Sequence, residues 1–540
     1  MLARATAFTL DRLDARRVTV EVDVRRGLPA FAIIGLADAA VREARERVRA
    51  AVINSGLEFP AMRVTVALAP ADLPKVGPGL DLAIACAILA ASGQLAHERL
   101  QPWALLGELG LDGSLRPARA TLAIADAAAR ARIPKLLLAS ETAREAALVP
   151  GVEVAGAASL REARSILCGR RRERDRRPTA PRADVIASPA RRAARLPARE
   201  GRLEGDLADV RGQHNAVRAL VIAVAGGHNL FLSGPPGTGK TMLARRAPSI
   251  LPPLGAREAI AVARIASVAG REVAALPRDR PFRAPHHSIT SAGLVGGAGA
   301  APGEAVLAHG GVLFLDELSE FDRATLDALR QPLEDGVVTI ARSRGTTTYP
   351  TSFMLIAATN PCPCGWAGTD DRCRCTEAEL ARHRRRVSGP LLDRLDLFAS
   401  MAEEAAPGLG ASPLTTSAAA RAEVIAARER QQARVRSVLD GDRCSNARMP
   451  VGVLREHARL DERGASLLRQ AAERGLLSAR GAERVLRVAR TIADLDASAR
   501  VSAEHVGSAL ALRAGSAAAA AARPAPPAAS SRPRLRALAR

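Results

Sequence analysis

The eight residues Gly234-Pro-Pro-Gly-Thr-Gly-Lys-Thr241 constrain this chain more than any other stretch. An apolar run, Leu230 to Leu232, precedes them, and a helix-forming run, Met242 to Arg246, follows. Strand, glycine-rich turn and helix N-terminus in that order make a phosphate cradle. Backbone N–H groups around Gly234, Gly237 and Gly239 can converge on phosphate oxygens where the helix dipole favours negative charge. Pro235, Pro236 and Thr238 complete the loop, Lys240 is spaced to reach the β and γ phosphates, and Thr241 offers a hydroxyl to Mg²⁺. Lysine is rare in this chain, occurring only at 75, 135 and 240, so its presence here is not background. The spacing predicts an α/β P-loop core using ATP and Mg²⁺.

Two further stretches agree with that reading. Gly311-Val-Leu-Phe-Leu-Asp-Glu317 is an apolar run closing on two carboxylates, the Walker B pattern. Asp316 is placed to hold the Mg²⁺ shell and Glu317 to orient the attacking water, since phosphoryl transfer depends on positioning and charge rather than on covalent help. A third strand, Phe353 to Ala358, ends in Thr359-Asn360, which puts Asn360 within reach of the γ-phosphate or the water.

At 540 residues the chain exceeds a single compact core. Residues 1–168 alternate strands and helices: Arg17 to Val24 places Val18, Val20, Val22 and Val24 on one side, and a helical period from Asp38 ends near Gly56. Further helices are expected at Leu82 to Ala91 and Leu122 to Ala131, and strands at Arg63 to Leu68, Leu105 to Leu109 and Lys135 to Leu138. Residues 169–205 hold Arg, Pro and Ala without period and read as a disordered linker. The ATPase core is expected over 206–402, a helical lid over 413–513 and a disordered tail over 514–540.

The net charge of +22 invites a polyanion partner, but +7 of it lies in 169–205 and +6 in 513–540, and solvated charge is the alternative. No apolar run reaches the roughly 18 residues needed to span a bilayer; Leu82 to Ala91 stops at Ser92 and Gly93. Asp11 and Arg12 interrupt the N-terminal apolar stretch, so a signal peptide and a membrane location are not expected, and a cytoplasmic one is.

Four of the seven cysteines form two Cys-x-Cys pairs, Cys362 with Cys364 and Cys373 with Cys375, separated by eight residues. A structural Zn²⁺ held by four thiolates is one reading, and reduced structural cysteines are the other, because a one-residue spacing is less usual for zinc than two. Val337 to Arg342, Ser343 to Gly345 and Thr346 to Tyr349 read as a β-hairpin carrying Arg342 and Arg344 at its tip. These arginines are candidate DNA phosphate contacts, with an exposed turn as the alternative. The run Arg382-His-Arg-Arg-Arg386 is a second candidate, with a helix surface near the subunit interface as the alternative; His286 and His287 are expected to make structural hydrogen bonds, with a metal-binding pair as the alternative.

Together these segments resemble the magnesium-chelatase-like AAA+ family in its ComM (YifB-like) branch, over residues 5 to 512. The resemblance is carried by Gly35-Leu-Ala-Asp-Ala-Ala-Val-Arg-Glu43, Leu68-Ala-Pro-Ala-Asp-Leu-Pro-Lys75, Leu106-Gly-Glu-Leu109, Ala225-Gly-Gly-His-Asn229 and Phe282-Arg-Ala-Pro-His-His-Ser288. It extends through Gln331-Pro-Leu-Glu-Asp-Gly336, Thr359-Asn-Pro-Cys-Pro-Cys-Gly365 and Ala489-Arg-Thr-Ile-Ala-Asp-Leu495.

The resemblance implies a ring-forming ATPase, hexameric when engaged, that moves on single-stranded or branched DNA and promotes branch migration during uptake of transforming DNA. Metal-chelatase motor subunit and protein remodeller are the competing functions. In the same light Asn360 takes the sensor 1 role. Arg394, in Gly389-Pro-Leu-Leu-Asp-Arg-Leu-Asp396, resembles an arginine finger, and Arg480, in Leu477-Ser-Ala-Arg-Gly481, a sensor 2; for each, a surface ion pair is the alternative. The N-terminal region resembles a Lon-protease-like (S5-type) domain without its Ser and Lys pair. Gly79 stands where the nucleophile would be and Leu122 near the lysine position, so no acyl chemistry is expected.

Overall fold

The computed structural model describes residues 1–540 except 12, 37, 76, 170–204, 298–301, 343–344, 368–371, 403–414, 436–444 and 521–540. Strict alternation in the first residues gives two long antiparallel strands, Leu2–Asp11 and Asp14–Arg25, which bury Ala3, Ala5, Ala7, Val18, Val20 and Val22 on one face. They centre a seven-stranded mixed sheet. Its spatial order is Ala30–Ile34, Arg63–Ala69, Asp14–Arg25, Leu2–Asp11, Trp103–Leu105, Lys135–Ala139, Glu153–Ala157.

The helix Asp81–Ala91 is apolar all round and is accordingly covered on nearly every side. The helix Ala39–Asn54 is one-sided, capped by Asp38 accepting from the Val41 N–H at 2.8 Å, and buries Val41, Ala44, Val48, Ala51 and Val52. The expected strand Leu105 to Leu109 is in fact two, Trp103–Leu105 and Glu108–Leu109. The chain turns at Gly107, whose φ of +158° and crowding by Leu115 exclude a larger residue.

The second sheet is wholly parallel, with order Phe282–Arg283, Val312–Leu315, Met354–Thr359, Leu230–Ser233, Leu397–Ser400. Its inner strands are continuous apolar runs, as burial on both faces requires. The strand ending in Asn360 lies between the P-loop strand and the strand ending in Asp316, although it comes later in the chain than both. All three carboxyl ends therefore face one edge.

The sheets are joined through the helix Ala256–Val268. Its Ala263 enters the same cluster as Phe8, Leu122 and Val154, and its Arg264 reaches Asp14 at 2.5 Å, Asp126 at 3.1 Å and the Leu13 carbonyl at 2.7 Å. Leu13 itself packs with Val338, Ile340 and Tyr349 of the hairpin formed by Val337–Arg342 and Gly345–Pro350.

Past 414 the described residues are helical, in Ser417–Val435, Val451–His457, Glu462–Glu473, Ala479–Leu495 and Ala503–Ala520. The expectation that residues 514–540 lack structure is corrected over 514–520, where the final helix continues. That stretch is Gly-Ser followed by alanines after Ala514, and alanine has the highest helix propensity of any residue. The remainder of the tail and residues 170–204 of the expected linker lie outside the described residues.

Candidate nucleotide site and the arginine cleft

Gly237 and Gly239 have φ of +80° and +86°, left-handed conformations that let the loop turn back over the start of the helix Lys240–Arg245. Thr238 Oγ1 donates to the Pro235 carbonyl at 2.9 Å and tightens the turn. Lys240 is largely buried. Its ammonium donates to the carbonyls of Gly234 at 2.6 Å and Pro235 at 2.7 Å and to Asn360 Oδ1 at 3.0 Å. Burial lowers its pKa below the usual lysine value, against the opposing pull of Asp316 and Glu317.

Thr241 Oγ1 donates to Asp316 Oδ2 at 2.6 Å. A hydroxyl and a carboxylate at the mouth of a P-loop are hard oxygen donors that suit Mg²⁺, and the glycine turn suits a triphosphate, so the residues present fit Mg·ATP. Glu317 follows with φ of +51°, a strained conformation for a non-glycine residue, and its side chain is more than half exposed. The sheet thus brings together Lys240, Thr241, Asp316, Glu317 and Asn360.

Asn360 is fixed from behind: its carbonyl accepts from His383 Nε2 at 2.9 Å. His383 is the buried member of the basic run on helix Glu377–Arg386, and Arg386 pairs with Glu320 at 2.9 Å. That run is at least partly committed to holding the sensor loop. Two residues beyond Asn360 begin the cysteines. Cys362, Cys364, Cys373 and Cys375 place their sulfurs within 4.8 Å of one another, with Cys373 Sγ 3.9 Å from Cys362 and 3.7 Å from Cys364, and Cys364 Sγ closer still to Cys362, at 3.2 Å. A tetrahedral ion with bonds of about 2.3 Å needs S···S edges of about 3.8 Å. Backbone N–H groups of Trp366 and Arg374 hold the Cys364 thiol down at about 6.

Arg394 and Arg480 are brought to each other's cleft and not to the P-loop of their own chain. Both line a cleft of about 790 Å³ together with Glu334, Arg484, Arg487 and Arg513. The same cleft is bordered by Asn229, Phe353 and Asp396, which precede their strands, so it opens at the amino edge of the parallel sheet. Strands of four to six residues put the two edges roughly 13–20 Å apart. Arg394 is held by Glu334 and by the Pro390 carbonyl. Arg342 ends its strand opposite Gly345, and Arg344 lies outside the described residues.

Residues with no evident chemistry in the sequence form the joint between core and lid. Asn229 donates from Nδ2 to the Arg394 carbonyl at 2.9 Å and accepts at Oδ1 from the Leu355 N–H at 2.9 Å. Asp396 accepts from Arg484 of the lid at 2.7 Å and from the Asn229 N–H at 3.0 Å, and Oδ2 lies 3.8 Å from Nδ1 of the fully buried His228. Burial would raise the Asp396 carboxyl, but His228, Arg484 and the Asn229 N–H reverse this and hold it well below the usual range. His228 Nε2 meets Thr491 Oγ1 at 2.8 Å, and an added Cβ at Gly226 would collide with both partners, lying 2.2 Å from the imidazole Nε2 and 2.5 Å from the threonine hydroxyl.

With this geometry in place, the chain matches three family models. Residues 206–407 match magnesium chelatase subunit ChlI, residues 20–142 the ChlI subunit of Mg-chelatase, and residues 414–513 the ChlI C-terminal region. It is 43% identical to YifB of Salmonella typhimurium over 509 residues, 93% of this chain and 95% of that protein. It is 42% identical to a protein of Mycobacterium tuberculosis over 516 residues, 95% and 98% respectively. It is 39% identical to competence protein ComM of Haemophilus influenzae over 512 residues, 93% and 95%. The chain belongs to the magnesium-chelatase ChlI-like AAA+ ATPase family, in the branch that contains YifB and ComM.

Proposed function

We propose that this ATPase is a ring-forming motor that acts on DNA, as a hexameric branch-migration helicase in the recombination of transforming DNA. The observation that carries the ring is the separation of the site into two edges. Lys240, Thr241, Asp316, Glu317 and Asn360 stand at the carboxyl edge of the sheet, while Arg394 and Arg480 stand at the amino edge. One protomer's arginines therefore serve the nucleotide of the next, and a head-to-tail ring is the closed arrangement that supplies every site. Bound Mg²⁺ would supply charge neutralisation between the phosphates. Lys240 and the loop N–H groups hold the triphosphate, Thr241 and Asp316 hold the ion, Glu317 orients water, and Asn360 keeps that water in line.

DNA enters the reading through the hairpin and through the relative named for competence. Arg342 and Arg344 contact backbone phosphates, giving affinity without base preference. The four cysteines bind a structural zinc, and the N-terminal domain is a Lon-like accessory domain without peptidase activity. Gly79 has no side chain and Leu122 only a buried aliphatic one, so neither position offers a nucleophile or a base. The test is ATP hydrolysis with and without forked or four-way DNA, followed by strand-displacement kinetics. Stimulation and displacement support the proposal; turnover indifferent to DNA would favour a protein remodeller or, as the family models' subunit name suggests, a chelatase-type motor.

A further inference from the structure

The helical lid carries a second concave surface, of about 540 Å³, at the far end of the helix that bears Arg480. Asp494 lies there, roughly 21 Å along the helix axis from Arg480 at a rise of about 1.5 Å per residue. It is buried, as is Arg490, whose Nε donates to it at 3.2 Å, and it also pairs with Arg434. One carboxylate therefore faces two guanidinium groups. Arg490 donates further to the carbonyls of Ser498 at 2.5 Å and Ala499 at 2.8 Å, which fixes the turn leading to Arg500. Arg430, from the helix Ser417–Val435, uses one nitrogen on the Asp494 carbonyl at 2.7 Å.

Two more arginines are set side by side at the same pocket. Leu460 and Val501 form a parallel bridge, in which the Val501 N–H donates to the Arg459 carbonyl at 3.2 Å and the Asp461 N–H to the Val501 carbonyl at 3.2 Å. Val501 is fully buried and Leu460 packs on the lid core, so the residues just before them, Arg459 and Arg500, turn the other way and are exposed in the pocket wall. Like charges placed across a bridge repel. Neither has a carboxylate partner among the described residues: Arg459 Nε donates to the Glu456 carbonyl at 3.3 Å, and the Arg500 side chain makes no hydrogen bond or ion pair. Five arginines thus line the pocket against two carboxylates, Glu456 and Asp494, and a concave wall focuses the surplus charge.

The lining also narrows the ligand. It holds no Phe, Tyr, Trp, Leu, Ile, Val or Met, so nothing there stacks a base or anchors the apolar side chain of a peptide. Guanidinium forks match phosphate oxygens two at a time. We propose that this lid pocket is a phosphate-binding site, taking the backbone phosphates of a nucleic-acid strand or those of a free polyphosphate, with Arg459 and Arg500 as the contacting pair and Arg430 beside them. The pocket is separate from the nucleotide cradle and from the hairpin, and its occupancy requires neither.

The test uses the full-length chain without ATP. Anisotropy of a labelled single-stranded oligonucleotide is followed over a range of salt for the parent, for Arg459→Ala combined with Arg500→Ala, and for Arg455→Ala, an exposed arginine outside the pocket. Tripolyphosphate is added in a Lys240→Ala background, which lacks the ammonium of the nucleotide cradle, and its binding is read as a rise in melting temperature. A melting curve like the parent's verifies that the double variant is folded. A loss of roughly fivefold or more in strand affinity, with a slope of log affinity against log salt shallower by about 1.4 for two lost contacts, assigns the site to a strand. Unchanged strand affinity with loss of the tripolyphosphate effect assigns it to free polyphosphate. Parent-like behaviour of the double variant with both probes overturns the proposal, as does an equal loss in Arg455→Ala. Polyglutamate displacing the strand as well as tripolyphosphate does would point to an acidic protein and overturn it too. A strand that binds through these arginines yet leaves ATP turnover unchanged counts against the motor reading and not against the pocket.

Discussion

Lys240 and Asn360 are in direct contact: the ammonium donates to Oδ1 at 3.0 Å while its other hydrogens hold the carbonyls of Gly234 and Pro235. A γ-phosphate entering the loop competes for the same ammonium, so nucleotide binding and sensor placement are one event. Lys240→Ala is expected to abolish nucleotide binding, whereas Glu317→Gln binds normally and lowers kcat by roughly 10²–10⁴-fold, as loss of a positioned base does. Binding of a fluorescent ATP analogue and phosphate release, measured on both variants, separate the two effects.

How much of this was legible in sequence follows from what each residue type must do. The P-loop and the paired acids were readable because phosphate chemistry admits few alternatives at fixed spacing, and Val18 to Val24 because a half-buried strand has to alternate. The insertion of Met354–Thr359 between two earlier strands was not readable, since it depends on long-range pairing that no local pattern encodes. His228, Asn229, Asp396 and Thr491 were visible only as family words, because a core histidine and a joint histidine look alike until Asp396 and Thr491 arrive from distant segments. His287 was expected to make structural hydrogen bonds; the structure places it against Glu317, a neighbour 30 residues away.

Gly365 lies against Pro236 of the P-loop so closely that an added Cβ would sit 2.5 Å from Cδ and 2.6 Å from Cγ, at a φ of +88°. The cysteine loop therefore shapes the nucleotide cradle. Gly365→Ala is expected to cost about 1–3 kcal/mol in backbone strain, and to raise the KM for ATP severalfold because Pro236 is displaced. Steady-state kinetics beside a melting curve checks it; an unchanged KM would show that the loops are independent.

Zinc in the four-thiolate cluster would fix both that glycine and Asn360, two residues before Cys362. Protein purified without chelator is expected to carry one zinc per chain by elemental analysis. Treatment with a strong chelator should lower the melting temperature and raise the KM for ATP in the same direction as Gly365→Ala. Absence of metal in such a preparation would leave the cysteines as reduced structural residues.

Separation of Lys240 from Arg394 by the height of the sheet makes complementation between variants a direct test of the shared site. Lys240→Ala and Arg394→Ala should each be inactive alone. Mixed in equal amounts they should recover turnover at about a quarter of the sites, the fraction of head-to-tail interfaces with an intact loop facing an intact arginine. The same holds for Arg480→Ala. No recovery on mixing, with ring assembly verified by sedimentation, would mean that the arginines act within their own chain or as surface ion pairs.

Asp396 ties the core to the lid helix that carries Arg480, through Arg484 at 2.7 Å and His228 at 3.8 Å. Its carboxyl is held below the unfolded value of about 3.9. For a group depressed in the folded state, the stabilisation is complete above the unfolded value and is lost as pH falls towards and through the folded one. The melting temperature of the parent is therefore expected to drop progressively below about pH 5. Asp396→Asn leaves Arg484 without its counter-charge at the joint, which costs about 3–5 kcal/mol at neutral pH. It should also flatten the acid limb of the stability curve. Because the helix Ala479–Leu495 is anchored there, the full-length variant is expected to lose ATP turnover while its P-loop, at the opposite edge of the sheet, still binds nucleotide, and melting curves taken from pH 3 to 7 beside nucleotide-binding titrations distinguish this from general unfolding.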